Sequence, residues 1–340
     1  MGRKRKGWMI ALGALGVLLA AGAAFLLLYF KDIYRPEKLF NEPSDYEKLL
    51  DTADMDYLKN RANILILGMD RNTERVDADD AVLTDTIILA TLDFEAGTID
   101  LITIPRDSYV VHLDGKKARI NSAFGKGGGF DGDGFTATRK TVEKLLGGIP
   151  IHNYLAVDMD GLAHIVDGLG GVPIEIEKTY LDAENPGIEK GECGSQHELG
   201  LQKLNGHHFL SYVRNRKGDS DVERAQRQQK AIIDVVKGLK QANLFTQTTT
   251  LYGTYKNDVY TDLSLQQLAA LAVFVMDVNM ETELVGHMMP GDFLDMPYGK
   301  GYISYWGISQ SEWKKMVKDI FGVEIQVDWE MDVHNIKKKL

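Results

Sequence analysis

Short apolar runs alternate with helically spaced apolar positions along the chain. The runs NILILG (63–68), TDTIILATLDF (84–94), TIDLITIP (98–105) and VPIEI (172–176) are rich in β-branched residues and predict strands. Only the residues EAG separate the second run from the third, which predicts an antiparallel hairpin.

Between and after these strands, apolar residues recur at three- and four-residue spacing, which predicts amphipathic helices. Asp160 is expected to cap one of them, GLAHIVDGL. A later segment, MMPGDFLDMPYGKGYISYWG (288–307), is rich in turn residues. Helices that alternate with strands, including a hairpin, predict an α/β fold, an αβα three-layer sandwich with a central mixed β-sheet. The other predicted helices cover 138–148, 204–212, 222–240, 264–277 and 309–322.

The first thirty residues predict one N-terminal transmembrane helix. Residues 8–30 carry no charge and would span roughly 34 Å as a helix, enough to cross the hydrocarbon layer. The basic residues of 1–7 place the N-terminus in the cytoplasm and the remaining chain outside the cell. A cleaved signal peptide is the alternative, because LAAGAA resembles a cleavage site, yet the apolar run continues past it as FLLLYF.

This topology suggests a simple domain organisation. We expect a juxtamembrane segment at 31–62, one extracellular domain at 63–323 and a C-terminal tail at 324–340. Cys193 is the only cysteine, so the fold cannot depend on an internal disulfide. The eight histidines contain no HExxH spacing, so we predict no zinc site.

A basic segment interrupts an otherwise acidic chain. The net charge is −10, yet 201–240 contains nine Lys and Arg against four Asp and Glu. Planar guanidinium groups suit phosphate oxygens, and a helix N-terminus adds its own positive end, so the segment predicts an anion site. A solvated basic helix face is the alternative. The candidate residues are Arg214 and Arg216, on one side of a stretch if it is extended, and Arg224, Arg227 and Gln228 on the following helix.

Carboxylates are expected at the edge of the sheet. Asp70 follows the first predicted strand, Asp85 begins the next, and Arg106 and Asp107 follow the third. Adjacent strands can bring these residues together, and two carboxylates beside an arginine-rich pocket can hold a divalent cation against a pyrophosphate. For any one aspartate alone, a turn or cap role is the alternative.

In these segments the chain resembles the LytR-CpsA-Psr family of membrane-anchored cell-wall enzymes. The segments that carry the resemblance are NILILGMD, TDTIILATLD, ITIPRDSYV, ARINSAFGKGG, VDMDGLAHIVDGLGGVPIEI, LQKLNGHHFLSYVRNR and DVERAQRQQ. The resemblance implies an enzyme that moves a phosphate-linked glycopolymer, such as a teichoic acid or capsular polysaccharide, from a polyprenyl-pyrophosphate carrier to a peptidoglycan sugar hydroxyl. It also implies the partners: the lipid-linked polymer, the peptidoglycan acceptor and the membrane, without nucleic acid.

The same resemblance implies roles for single residues. Asp70 and Asp85 would hold Mg²⁺. Apart from the resemblance, the chemistry also needs a base for the acceptor hydroxyl, and Asp70 and Asp107 are the candidates. The family often has Arg-Ser where this chain has Leu83-Thr84, and an arginine in place of Asn72; Arg71 or Arg75 is a candidate substitute. The implied pyrophosphate ligands are Arg106, Arg119, Arg214, Arg216, Arg224, Arg227 and Gln228.

Three other functions remain compatible with the sequence. A lipid-pyrophosphate hydrolase would use the same site, with water in place of the sugar hydroxyl. A non-catalytic binder of anionic wall polymer is compatible with the changes at Leu83, Thr84 and Asn72. A nucleic-acid-binding regulator would use the arginine-rich helix, but the predicted topology places that helix away from the chromosome.

Overall fold

The structure is a computed structural model. It describes residues 31–40, 60–71, 82–177, 199–215, 220–241, 258–326 and 332–337. The predicted anchor at 8–30 lies outside the described residues, and within the described ranges no helix is long and apolar enough to cross a membrane.

Six strands form the central sheet, in the order β10-β3-β2-β1-β6-β9. The β1–β6 and β3–β10 pairs are parallel, and the β1–β2, β2–β3 and β6–β9 pairs are antiparallel, so the predicted mixed sheet and its hairpin are confirmed. The strands are β1 (Arg61–Met69), β2 (Thr84–Asp93), β3 (Thr98–Thr103), β6 (Asn153–Val157), β9 (Val259–Thr261) and β10 (Leu284–Met288).

Three two-stranded ribbons surround the central sheet. The predicted strand VPIEI forms, but it belongs to one of these ribbons and not to the central sheet. The turn-rich segment 288–307 contains most of a hairpin that sequence reasoning had not recognised. The ribbons pair β4 (Tyr109–Val111) with β5 (Lys117–Arg119), β7 (Val172–Ile176) with β8 (Gly200–Leu204), and β11 (Gly291–Tyr298) with β12 (Gly301–Ile308).

Helices cover both faces of the central sheet. Alternate residues of a strand point to opposite faces, and in β1 Leu65 and Leu67 pack with α2, α3 and α8, whereas Ile64 and Ile66 pack with α6 and α7. The helices are α1 (Glu37–Phe40), α2 (Ala123–Lys126), α3 (Gly134–Leu145), α4 (Met159–Gly168), α5 (Gly206–Arg214), α6 (Asp221–Gln241), α7 (Leu265–Asp277), α8 (Gln310–Phe321) and α9 (Val333–Lys337).

Local capping sets several helix starts. Asp158, rather than the predicted Asp160, caps α4, because its side chain accepts a hydrogen bond from the backbone nitrogen of Gly161 at 2.8 Å. Ser264 and Gln267 form a reciprocal capping box at the start of α7. Asn205 caps α5, so this helix begins two residues later than the sequence pattern suggests and continues to Arg214.

Part of the C-terminal tail packs on the domain. Ile325 belongs to the same apolar cluster as α8, and Val333 in α9 is fully buried. Asp332 accepts a hydrogen bond from the backbone nitrogen of Gln310 at 3.0 Å. The described parts of the tail therefore contribute to the core beside the β11–β12 hairpin.

His152 ties the N-terminal segment to the sheet. Its Nδ1 accepts a hydrogen bond from the backbone nitrogen of Asn63 at 2.9 Å, and its ring meets that of Phe40 edge-on. Burial lowers the pKa of His152 to about 4. The neutral ring is therefore the form that suits the folded chain.

We expect His152 to make the fold sensitive to acid. Its pKa is about 6.5 in the unfolded chain and about 4 in the folded protein, so its contribution is fully present above pH 6.5 and is lost as the pH falls towards 4. The free energy of unfolding should drop by about 3 kcal/mol across this window from this residue alone. In urea titrations at pH 7 and pH 4, His152→Gln should lose less stability than the wild type. Equal losses would contradict the assignment.

Candidate active site

The candidate site lies at one edge of the central sheet. Antiparallel pairing brings the end of β1 beside the start of β2, and the segment after β3 reaches the same edge, where the backbone nitrogen of Ile104 donates to the carbonyl of Ile87. Asp70, Asp85 and Arg106 are therefore neighbours, as the sequence predicted.

A β-bulge sets the position of Asp85. Gly68 pairs with Thr86, but the next residue of β1, Met69, pairs with Thr84, so Asp85 is the extra residue on β2. Thr84 donates a hydrogen bond to the carbonyl of Asn121, while Thr86 turns towards α6. The bulge therefore releases the Asp85 side chain from the regular alternation of the strand.

Asp85 and Arg106 form the central ion pair of the site. Arg106 donates from one terminal nitrogen to Oδ2 of Asp85 at 2.7 Å. Burial raises the pKa of Asp85; Arg106 opposes that shift, the negative charge of Asp70 adds to it, and Arg224 also opposes it. The carboxyl of Asp85, in β2, thus interacts electrostatically with residues of α6 and of the segments that follow β1 and β3.

A second ion-paired group extends the site towards the β11–β12 hairpin. Asp107 lies 3.5 Å from Nε of Arg106 and 3.1 Å from Nε of Arg119. Arg119 also donates to the carbonyl of Ser304 at 2.8 Å and lies over the ring of Tyr305. Sequence reasoning found Arg119 but missed Ser304 and Tyr305, since a turn-rich segment gives no signal of its spatial neighbours.

Helix α6 supplies the other side of the site. Gln228 accepts a hydrogen bond from Thr86 Oγ1 at 3.3 Å and donates to the carbonyl of Val213 at 3.2 Å. Gln229 donates to the carbonyls of Leu101 and His287, which fixes the helix against β3 and β10. The two adjacent glutamines therefore attach α6 to the sheet and to the end of α5.

The remaining predicted arginines divide into two kinds. Arg214 is the last residue of α5, and within the described part of the chain no hydrogen bond or ion pair engages its guanidinium group. Arg227 is buried, donates to the carbonyl of Asn215 and lies over the ring of Tyr212, so it fixes the turn after Arg214. Arg216 lies outside the described residues.

Arg71 takes part in a different group of contacts. Its guanidinium group lies 4.6 Å from the ring centroid of Phe130, and it donates to the hydroxyl of Tyr260 at 3.2 Å. In the described residues the side chain of Arg71 therefore contacts aromatic side chains and not the Asp85–Arg106 pair. Asn72 and Arg75 lie outside the described residues.

Asp70 and Asp85 suit a divalent cation whose remaining ligands come from water and substrate. Oδ1 of Asp85 is buried and accepts no hydrogen bond from the residues that the structure describes, and the charge of Asp70 is close enough to affect the same carboxyl. In the described ranges no group of three or more His, Cys, Asp or Glu is placed to hold a metal. Two carboxylates would hold Mg²⁺ together with water and phosphate oxygens, as in many nucleotide sites.

Fold and site together define an α/β protein with an acid–arginine site at one edge of a mixed sheet. The chain belongs to the LytR_cpsA_psr family, whose sequence model matches residues 37–322.

Two relatives carry the same enzyme name. Polyisoprenyl-teichoic acid–peptidoglycan teichoic acid transferase TagU of Halalkalibacterium halodurans is 31% identical over 265 residues, covering 76% of this chain and 80% of the relative. TagU of Bacillus cereus is 26% identical over 293 residues, covering 85% and 89%.

Solved structures share the fold. TagT bound to LIIa-WTA superposes with a TM-score of 0.63 at 24% identity, covering 80% of this chain and 95% of TagT. A protein of Streptococcus agalactiae superposes with a TM-score of 0.66 at 19% identity, covering 85% and 98%. The predicted α/β architecture is therefore that of known family members.

We expect the bulge to require glycine at position 68. A Cβ added to Gly68 would lie 2.9 Å from Cβ of Thr86, an atom that cannot move without the strand. Gly68→Ala should reduce the free energy of unfolding by about 1–3 kcal/mol, as measured by urea denaturation. In a Thr86→Gly background, which lacks the contacting Cβ, Gly68→Ala should cost less stability than it does in the wild type.

Gly238→Ala in α6 is the matched control. Its added Cβ would meet Val172 and Leu169 at 3.5 and 3.6 Å, which are ordinary contact distances. Alanine is favoured over glycine in a helix by about 1 kcal/mol, so this variant should be as stable as the wild type or more so. If Gly68→Ala behaves like the control, close packing does not explain the bulge.

Proposed function

We propose that the protein is a membrane-anchored phosphotransferase that moves a phosphate-linked glycopolymer from a polyprenyl-pyrophosphate carrier to a sugar hydroxyl of peptidoglycan. The observation that carries the proposal is the convergence of Asp70, Asp85, Arg106 and Arg224 at one sheet edge. The names of the TagU relatives support the substrate class.

The proposed reaction replaces a phosphoanhydride bond by a phosphate ester bond. The acceptor hydroxyl oxygen forms a bond to the phosphorus that carries the polymer, and the bond from that phosphorus to the bridging oxygen breaks. The polyprenyl monophosphate leaves with the bonding electron pair, and the hydroxyl proton passes to a base. Such a transfer needs charge neutralisation and alignment more than it needs covalent help from the protein.

The arginines supply that neutralisation in the proposal. Arg214 offers a guanidinium group with no protein partner in the described residues, and the charge of Arg224 already acts on Asp85 from the side of α6. Arg106 would contact the phosphates while it holds Asp85. A bound Mg²⁺, held by Asp70 and Asp85, would neutralise further phosphate charge.

Of the two candidate bases, we propose Asp70. The carboxylate of Asp107 lies between the guanidinium groups of Arg106 and Arg119, so its contacts suit it to position those two side chains. Asp70 directly follows β1 and is half-buried beside Asp85. The acceptor proton would therefore move to the carboxylate at the end of β1.

Partly exposed apolar side chains beside the site would suit the lipid. Ile66 and Leu155 occupy the middle of β1 and β6, positions that helices normally bury completely, yet both remain partly exposed on the face covered by α6 and α7. Ile232 and Leu268 on those helices are also only partly buried. This face leads to the edge that carries Asp85, as a polyprenyl chain attached to a bound pyrophosphate would require.

The proposed anchor agrees with such a substrate. A helix at 8–30, preceded by the basic residues of 1–7, would hold the catalytic domain on the outer side of the cell membrane. A lipid-linked donor and a wall-linked acceptor are both accessible there.

We expect Arg106→Ala and Arg214→Ala to reduce transfer about a hundredfold each, because each removes one positive group from the reacting phosphates. The measurement is transfer of a lipid-pyrophosphate-linked saccharide to peptidoglycan oligomers, by the full-length protein in detergent with Mg²⁺. Full activity in both variants would contradict the site assignment. Release of the saccharide phosphate to water with acceptor present would instead favour a hydrolase.

Arg61→Ala is the matched control for Arg106→Ala. Arg61 pairs with Asp93 at 2.7 Å, the same distance as Arg106 to Asp85, and the side-chain exposures are similar, 19% for Arg61 and 18% for Arg106. The Arg61 pair lies at the opposite end of β1. We therefore expect a comparable loss of stability from Arg61→Ala with transfer retained.

We expect Ile66→Trp to affect long-chain donors selectively. The larger side chain would fill the space between the sheet and α6, so the KM for a donor with a long polyprenyl chain should rise about tenfold, which corresponds to about 1.4 kcal/mol. The KM for a short-chain donor should change little. Val285→Trp, on the exposed part of β10, is the control. Normal use of the long-chain donor by Ile66→Trp would refute the lipid assignment.

A further inference from the structure

The β11–β12 hairpin extends the candidate site, and the proposed reaction assigns it no role. Its second strand is joined to the site, because the backbone nitrogen of Trp306 donates to the carbonyl of Asp107 at 2.9 Å and Arg119 donates to the carbonyl of Ser304. The other end of the hairpin, at Tyr298, is well exposed. A surface therefore runs outward from Arg119.

One face of the hairpin carries a row of apolar and aromatic side chains. Residues paired directly across an antiparallel ribbon share a face, and the pairs are Leu294 with Tyr305, Met296 with Ile303 and Tyr298 with Gly301. We call the side chains of Tyr305, Ile303, Met296 and Tyr298 the tyrosine face. It extends roughly 14 Å from Tyr305 to Tyr298, four residues along a strand.

The tyrosine face continues directly into the site. The ring of Tyr305 meets that of Tyr109 at 4.9 Å and lies beside the guanidinium group of Arg119. Arg119 in turn holds Asp107 at 3.1 Å. A molecule that lies along the tyrosine face would therefore have one end next to the Asp107–Arg106 side of the reaction centre.

The central sheet separates the tyrosine face from the side where we propose that the lipid lies. Val110 of β4, the strand whose Tyr109 meets Tyr305, belongs to the cluster with α2, α3 and α8, whereas Ile66 belongs to the cluster with α6 and α7. The lipid tail and the tyrosine face thus lie on different sides of the sheet. A substrate bound on the tyrosine face would therefore be the acceptor or the polymer of the donor, and not the lipid.

The charges of the hairpin favour a neutral occupant. Residues 291–308 contain two aspartates, Asp292 and Asp295, and one lysine, Lys300. Such a surface gives little attraction to a polymer with many phosphate groups, which would seek basic residues. The tyrosine face offers the exposed ring of Tyr298 and the half-buried ring of Tyr305. Tyrosine rings suit the C–H faces of pyranose sugars, and their hydroxyl groups can bond to sugar oxygens.

We propose that the tyrosine face binds the glycan strand of the acceptor, with Tyr305 and Tyr298 stacked on its sugar rings, so that a hydroxyl enters the site beside Arg119. This inference rests on the proposed function, because it names the substrate that lies there. The tyrosine face would determine which acceptor binds, and the reaction at the donor phosphates would not depend on it.

The test measures binding of soluble peptidoglycan glycan fragments to the full-length protein in detergent, without donor or added metal, by isothermal titration calorimetry. Tyr298→Ala should weaken binding about tenfold, and it is safe for folding because Tyr298 is 69% exposed. Tyr305→Phe, which keeps the ring, should retain binding, whereas Tyr305→Ala should lose it.

Tyr302→Ala is the matched control. Tyr302 belongs to the same hairpin and is 75% exposed, but it pairs with Pro297 and lies on the opposite face. It should therefore bind the fragments like the wild type. Absence of binding to the wild type, equal binding by Tyr298→Ala and the wild type, or an equal loss in Tyr302→Ala would each overturn the inference.

A transfer assay separates this inference from the proposed function. In Tyr298→Ala the KM for the acceptor should rise about tenfold, and a rise confined to the KM for the donor would overturn the inference, since the face would then bind the donor polymer. If the wild type transfers nothing but binds the fragments through Tyr298, the glycan-binding face stands and the proposed function fails.

Discussion

The ion pair between Asp85 and Arg106 is the interaction on which the candidate site depends. A half-buried carboxylate beside a second carboxylate, Asp70, is unfavourable in water-poor surroundings, and burial raises the pKa of Asp85. Arg106 compensates at 2.7 Å, and Arg224 contributes from α6. The negative charges of Asp70 and Asp85 are thus offset by the positive charges of Arg106 and Arg224, so the site depends on the relative positions of these side chains.

Those positions are set by ordinary backbone and amide contacts. The bulge at Asp85 depends on the small size of Gly68, and Gln229 bonds to carbonyls of β3 and β10 so that α6 cannot slide along the sheet. Gly286 allows this approach, because a Cβ there would lie 2.8 Å from Oε1 of Gln229. The residues that fix the positions of the charged groups are therefore Gly68, Gly286 and Gln229, which carry no charge themselves.

The sequence predicted the segments of the fold better than their spatial relations. Periodicity located β1, β2, β3 and the long helices, because a strand buried between helix layers must be apolar throughout, but it did not identify β6, β9 or β10. It did not show that VPIEI leaves the central sheet or that 288–307 contains a hairpin, since pairing depends on distant partners. Asp158 replaced Asp160 as the cap of α4 because both residues offer the same chemistry two positions apart. The sequence offered Arg71 as a substitute for the arginine that the family often has at position 72, and its described side-chain contacts are with Phe130 and Tyr260.

In the proposed reaction one edge of the sheet would serve three chemically different partners. Partly buried apolar side chains lie on the face of α6 and α7, the cationic and acidic groups lie at the strand ends, and the tyrosine face extends from the other side through Arg119. A diphosphate bound between them would have its lipid directed to one side of the sheet and an acceptor sugar to the other. Because the bond between the two phosphates is the one to be broken, a site that holds the two products on opposite sides of the sheet also favours their separation after transfer. The division of the sheet into two unlike faces is thus part of the proposed chemistry as well as of the fold.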